Sequence, residues 1–178
     1  MTEQPPRVSD YMTPLPVTVE IGMSLADAMD RMYSDNIRHL PVVDTGGKLV
    51  GLVSTRDIAA IGALRGVDPA EAKVEDAMAK IPFTCADHSP LVAVIERMER
   101  DRLGSAIVTH GDTPIGIFTT TDALRVLRGM LLGKEVEPLV HAEVESGEGS
   151  DKPHVGHTRI ATGARGRDGM ISWFLMRL

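Results

Sequence analysis

The second half of the sequence repeats the first. Shifted by 66 residues, Val8 meets Val74, Met12 meets Met78, Pro16 meets Pro82, Thr18 meets Thr84, Leu25 meets Leu91, Arg31 meets Arg97, Met32 meets Met98 and Val42 meets Val108. From there the offset is 65, so that Gly51 meets Gly116 and Asp57 meets Asp122. The lost residue falls between the turns Asp44-Thr-Gly-Gly47 and His110-Gly-Asp112, where a change of length costs least. A unit of ~50 residues cannot cover its own apolar faces, so the two are expected to pack on each other.

Each unit reads the same way. Val17-Thr-Val19 is a short extended piece, and Ser24 with Asp27 resembles a capping box opening a helix whose Leu25, Ala28, Met29 and Met32 share one face. Leu91, Val94, Ile95 and Met98 repeat that spacing after Ser89 and Pro90, expected as cap and first-turn residue. Leu40–Val43 and Lys48–Val53 flank a Gly-Gly turn, as Ala106–Thr109 and Pro114–Phe118 flank Gly111-Asp112, which predicts a β-hairpin in each unit. A further helix starts near Asp57 or Asp122. The expected fold is therefore mixed α/β: two β-α-β-β-α repeats at 8–66 and 74–132, packed as a pseudo-two-fold pair. A short helical linker, begun by the Asp68-Pro69 cap, spans 67–73, and a flexible glycine-rich and charged tail follows at 133–178.

Composition excludes several function classes. Aromatic residues make up only 3% and the net charge is -6, so neither stacking rings nor a positive field recommends a nucleic-acid partner. The single cysteine, Cys85, forms no intrachain disulfide, and no apolar run approaches the ~18 residues of a membrane span. With no secretory pattern at its N-terminus, the chain is expected to be cytoplasmic. The helices beginning at Asp57 and Asp122 carry Ile58, Ile61 and Leu64, and Leu124, Leu127, Met130 and Leu131. These exceed what a two-unit core covers, so a homodimer is expected.

The most chemistry lies where a strand runs into a helix, at Gly51-Leu-Val-Ser-Thr-Arg-Asp57 and Gly116-Ile-Phe-Thr-Thr-Thr-Asp122. A hydroxyl, Ser54 or Thr119, stands three residues before an acid in both. The first amides of a helix are unpaired and positive, so a phosphate can be held there, while a carboxylate accepts two hydrogen bonds and suits a ribose diol. The alternative is that Asp57 and Asp122 are capping residues and the hydroxyls belong to the turn.

The two copies resemble a tandem pair of cystathionine-β-synthase (CBS) domains, a Bateman module, over residues 8 to about 131. The resemblance rests on Met12-Thr-Pro14, Ile37-Arg-His-Leu-Pro-Val-Val-Asp44, Lys48-Leu-Val-Gly-Leu-Val-Ser-Thr-Arg-Asp57 and their counterparts. It implies a regulatory module, not an enzyme, that requires no cofactor and binds AMP, ADP, ATP or S-adenosylmethionine in two clefts between the repeats. One cleft would use Ser54, Arg56 and Asp57 with Thr84, Leu103, Gly104 and Ser105. The other would use Thr119, Thr121 and Asp122 with Thr18, Ile37, Arg38 and His39. Ile37 or Leu103 would lie against adenine, and Arg38 and His39 would face phosphate. Leu103-Gly-Ser-Ala106 departs from the pattern by lacking both basic residues and the proline.

Other features point less sharply. Cys85-x-x-His88 lacks the further ligands of a zinc site, and His154-x-x-His157 lies in the tail. Arg165 and Arg167 with Trp173 and Phe174 offer a contact for nucleic acid or an acidic partner, although a short tail with scattered positive charge more often has no defined role, and the apolar Met170–Met176 offers a docking segment. Two other readings therefore stand beside the nucleotide module: a structural or stress-related protein without ligand, and a subunit that docks a transporter or enzyme.

Overall fold

The computed structural model describes residues 5–134 and 136. After a single 3-10 turn at Val8–Asp10, the order is β1 (Thr13–Pro14), β2 (Val19–Glu20), α1 (Leu25–Ser34), β3 (His39–Val43), β4 (Leu49–Ser54) and α2 (Thr55–Gly62). The second copy runs α3 (Val74–Ala77), β5 (Thr84–Ala86), α4 (Leu91–Arg100), β6 (Ser105–His110), β7 (Thr113–Thr119) and α5 (Thr120–Leu131). One sheet has the order β2-β3-β4 and the other β1-β7-β6-β5. β2 lies parallel to β3 and β5 to β6, and β3–β4 and β6–β7 form the expected hairpins.

Alternation of apolar residues explains two separate cores. Leu25, Ala28 and Met32 of α1 meet Val19, Leu40, Val42, Val53 and Ile58, while Leu91, Val94 and Met98 of α4 meet Ala106, Val108, Phe118 and Val126. Ser24 accepts from the Asp27 amide at 3.0 Å, as its capping box predicts. In the second copy Pro90, not Ser89, occupies the capping position.

The segments ahead of the two repeats exchange places. β1 belongs to the first copy by sequence but pairs antiparallel with β7, Thr13 opposite Ile117. Ala79 pairs with Leu52 of the first sheet. Since 13 and 79, and 117 and 52, are equivalent positions, one contact is made twice about a pseudo-two-fold axis. Val8 packs in the second core and Val74 in the first, and their amides donate to the carbonyls of Ser89 and Met23, each at 2.9 Å. Gly51 and Gly116 make room for this exchange. A Cβ at Gly51 would lie 2.5 Å from the sulfur of Met78, and one at Gly116 2.1 Å from that of Met12.

Residues 67–73, expected as a helical linker, form turns instead. Their carbonyls are engaged elsewhere: Leu25 and Ala26, at the unpaired start of α1, donate to Ala72 and Pro69 at 2.9 and 3.0 Å. Ile58, expected on the outer surface, is 4% exposed because it closes the first core. Of the tail, Val136 packs on the second core. The expected flexibility of the remainder, its histidine pair and its apolar terminus lie outside the described residues.

Candidate functional site

Both junctions carry the same capping box. The Ser54 amide and hydroxyl donate to Asp57 Oδ2 at 2.9 and 2.6 Å, and the Asp57 amide returns a long bond to the Ser54 hydroxyl at 3.4 Å. In the second copy the Thr119 amide and hydroxyl donate to Asp122 Oδ2 at 2.8 and 2.7 Å. The capping reading of these residues is therefore correct, but it uses only one oxygen of each carboxylate. The fate of the other oxygen separates the copies. Asp57 Oδ1 accepts nothing among the described residues, whereas Asp122 Oδ1 lies 3.3 Å from the Arg125 guanidinium.

Arg125 was not singled out from the sequence. Its equivalent in the first copy is Ala60. It also donates to the Tyr11 carbonyl at 2.7 Å, so it ties the exchanged N-terminal segment to α5. The spacing Asp122-x-x-Arg125, one helical turn, was the available signal.

One pair expected to share a cleft meets across the repeats. Arg38 donates to the Thr121 hydroxyl at 3.3 Å, joining the loop before β3 to the first turn of α5. The Arg38 carbonyl accepts from the Thr55 amide and the Gly104 carbonyl from the Thr120 amide, both at 3.1 Å, so each loop also caps the outer helix of its own repeat. His39 stands opposite Ser54 in the β3–β4 hairpin, and Ser105, its equivalent, stands opposite Thr119. A Cβ on Gly104 would lie 3.3 Å from His39 Nε2, so a larger residue there would make the ring shift by a few tenths of an ångström.

His39, expected in the cleft of Asp122, lies within electrostatic reach of Arg56 and Asp57 instead. Burial first, then the Arg38 charge, holds its pKa below the usual histidine value, with Asp57 opposing and Arg56 adding to the effect. The surroundings of the first junction thus favour the neutral imidazole.

Ile37 and Leu103 are half-buried against the first and second cores. Ser105 is buried, Arg56 and Gly104 are exposed, Thr18 is exposed just before β2, and Thr84 is exposed on the edge strand β5. Thr84 lines a depression of about 230 Å³ with Leu49, Val50, Pro82 and Thr109, and neither Ser54 nor Asp57 borders it. Burial pushes the Cys85 thiol up to about 11, so it is a poor nucleophile. Among the described residues no group of three or more potential ligands could hold a metal ion, and no helix is long and apolar enough to cross a membrane.

Known proteins share this architecture. Residues 8–63 and 74–129 each match the CBS domain. A homoserine O-acetyltransferase of Methanococcoides burtonii is 33% identical over 121 residues, which are 67% of this chain and 24% of that protein. An L-aspartate semialdehyde sulfurtransferase of Methanocaldococcus jannaschii is 28% identical over 68% of this chain and 23% of its own length. The chain thus spans about a quarter of these curated relatives. Among solved structures, an acetoin utilization protein (AcuB) of Vibrio cholerae is 29% identical with a TM-score of 0.66, covering 72% of this chain and 95% of that one. The CBS domain pair of protein MJ0100, in complex with 5′-methylthioadenosine and S-adenosyl-L-methionine, is 27% identical with a TM-score of 0.66, covering 71% and 99%. Two matched repeats, each built on the same hairpin and hydroxyl-x-x-Asp junction, make this chain a member of the CBS-domain family, carrying a tandem CBS pair or Bateman module.

Proposed function

We propose that the chain is a regulatory module that binds adenosyl ligands in two unequal clefts and signals through its contacts with itself or a partner. The observation that carries this reading is the pair of hydroxyl-x-x-Asp junctions set against loops of both repeats, with Arg38 already bonded to Thr121 across them. A ligand at such a place touches both repeats at once, so its binding favours one arrangement of the pair over another. The MJ0100 pair, with its two adenosyl compounds, supports the ligand class.

In the cleft of Ser54, Arg56 and Asp57, the open Asp57 Oδ1 receives a ribose hydroxyl, and Leu103 lies toward the base. A bond of this kind to a charged acceptor contributes roughly 1.5 to 3 kcal/mol. In the cleft of Thr119, Thr121 and Asp122, Arg38 supplies the cation for a phosphate and Ile37 the apolar surface. There Arg125 already holds the second oxygen of the aspartate. The first cleft therefore recognises ribose chiefly, and the second depends on phosphate.

A thermal-shift series with AMP, ADP, ATP and S-adenosylmethionine tests the reading. It predicts a rise in melting temperature with at least one of them, in the direction that mass action requires. No rise with any, confirmed by calorimetry, favours the ligand-free structural reading.

A further inference from the structure

We propose that Arg125 pins the N-terminal segment to the second cleft, so that a ribose taken up by Asp122 loosens residues 6–15 from the second repeat. This deepens the adenosyl reading above and rests on it. The segment lies across the second repeat as a strap. Leu91, at the start of α4, donates to the Pro6 carbonyl at 2.8 Å, Val8 and Ser9 donate to the carbonyls of Ser89 and Asp87 at 2.9 and 3.2 Å, and Leu15 donates to that of Ile115 at 3.0 Å. Between these anchors α5 holds the strap through Arg125, whose Nη2 donates to the Tyr11 carbonyl at 2.7 Å. The equivalent strap over the first repeat has no such pin, because Ala77 and Ala60 stand where Tyr11 and Arg125 stand here.

One nitrogen makes both contacts. Nη2 also lies 3.3 Å from Asp122 Oδ1, while the Nε of Arg125 is buried with no acceptor among the described residues. The guanidinium is thus only partly satisfied, and Asp122 is the counter-charge that orients it. The other oxygen of Asp122 is taken by the Thr119 amide and hydroxyl, so a ribose hydroxyl reaching this carboxylate competes for Oδ1. Deprived of that partner, a largely buried cation is left with one neutral acceptor, a costly arrangement. The Arg125 side chain is 23% exposed, close enough to solvent to swing outward, and doing so gives up the Tyr11 carbonyl. Reciprocity requires the converse: a strap that opens removes the competitor and tightens ligand binding.

Hydrogen–deuterium exchange tests this at the amides of Val8, Met12 and Leu15, which donate to the carbonyls of Ser89, Val8 and Ile115, with the amides of β6 as the reference for global unfolding. Without nucleotide, Asp122→Asn should speed exchange of the strap at least about tenfold relative to β6, the effect of losing a charged hydrogen bond. Exchange no faster than before, or accelerated only as much as that of β6, overturns the proposal. So does an equal acceleration at residues 74–81 in Asp57→Asn, because a weakened cap would then explain the effect. With AMP, the Asp57→Asn protein, its first cleft disabled, should show the strap loosened as calorimetry shows the second cleft filling. Adding Arg125→Gln, whose amide still donates to Tyr11 but carries no charge, should remove that response. AMP bound there with strap exchange unchanged or slowed overturns the proposal. No AMP binding at all, with the strap still loosened by Asp122→Asn, refutes the functional reading and leaves the pin standing.

Discussion

The two strand-to-helix junctions share a cap but differ in what surrounds it, Arg56 against Thr121 in the first turn and Ala60 against Arg125 one turn on. Ser54–Asp57 and Thr119–Asp122 share their capping hydrogen bonds, but α5 carries Arg125 where α2 carries Ala60. The same aspartate is thus half-free in one copy and fully engaged in the other. The two repeats keep the same capping frame, while Arg125 and the Arg38–Thr121 bond set the second apart from the first. Capping and ligand binding are not rival roles here, because one carboxylate oxygen serves the helix and leaves its twin for something else.

The cores show a comparable divergence, and the largest expected effect lies there. Phe118 fills the second core where the first has Val53, both completely buried. Phe118→Ala should cost about 3 to 5 kcal/mol, the usual penalty for emptying a buried ring. Because Val8 and Val74 each lie in the other repeat's core, urea unfolding of this variant should remain a single transition. Two separate transitions would show that the exchanged segments do not couple the halves.

A smaller change targets the junction directly. Arg125→Ala removes a charged bond to the Tyr11 carbonyl, a loss of roughly 1.5 to 3 kcal/mol in stability. It also frees Asp122 Oδ1. Calorimetry should then show AMP binding more tightly at the second cleft, by about tenfold or more if the guanidinium and ribose compete for that oxygen. Weaker binding there would mean that Arg125 touches the ligand itself.

What the sequence revealed was mostly local. Hairpins, capping boxes and the apolar helix faces are set by residues within a few positions of each other, and these expectations agree with the structure. The exchange of N-terminal segments was not legible, because Thr13 opposite Ile117 is a two-residue pairing across most of the described chain. Its trace was Gly51 and Gly116, glycines inside strands, which mark close approach of another segment. The linker failed as a helix for a similar reason. Asp68-Pro69 begins one correctly, with Asp68 Oδ1 accepting from the Ala70 amide at 2.9 Å, but the carbonyls that follow serve the start of α1. At the candidate site, the two capping junctions were legible in the hydroxyl-x-x-Asp spacing, while the ion pair of Arg125 with Asp122 was not.

The smallest effect concerns His39. Its pKa is lowered in the folded state, so the unfolded chain binds the proton more readily. Stability should be complete above the unfolded value near 6.5 and should decline as pH falls below it toward the lower folded value. Urea unfolding at several pH values should show His39→Gln losing part of that decline. An identical profile would place the ring outside the cluster of Arg38, Arg56 and Asp57.

Ribose recognition by the first aspartate is tested most directly by calorimetry with AMP and 2′-deoxy-AMP on the unmodified protein, Asp57→Asn and Asp122→Asn. Asparagine still accepts through one oxygen and keeps the helix cap, so the fold should persist. The account predicts that Asp57→Asn weakens AMP binding about 10- to 100-fold and abolishes the preference for the 2′-hydroxyl, while Asp122→Asn has a much smaller effect. Equal affinities in all three proteins, or a larger loss from Asp122→Asn, would contradict it.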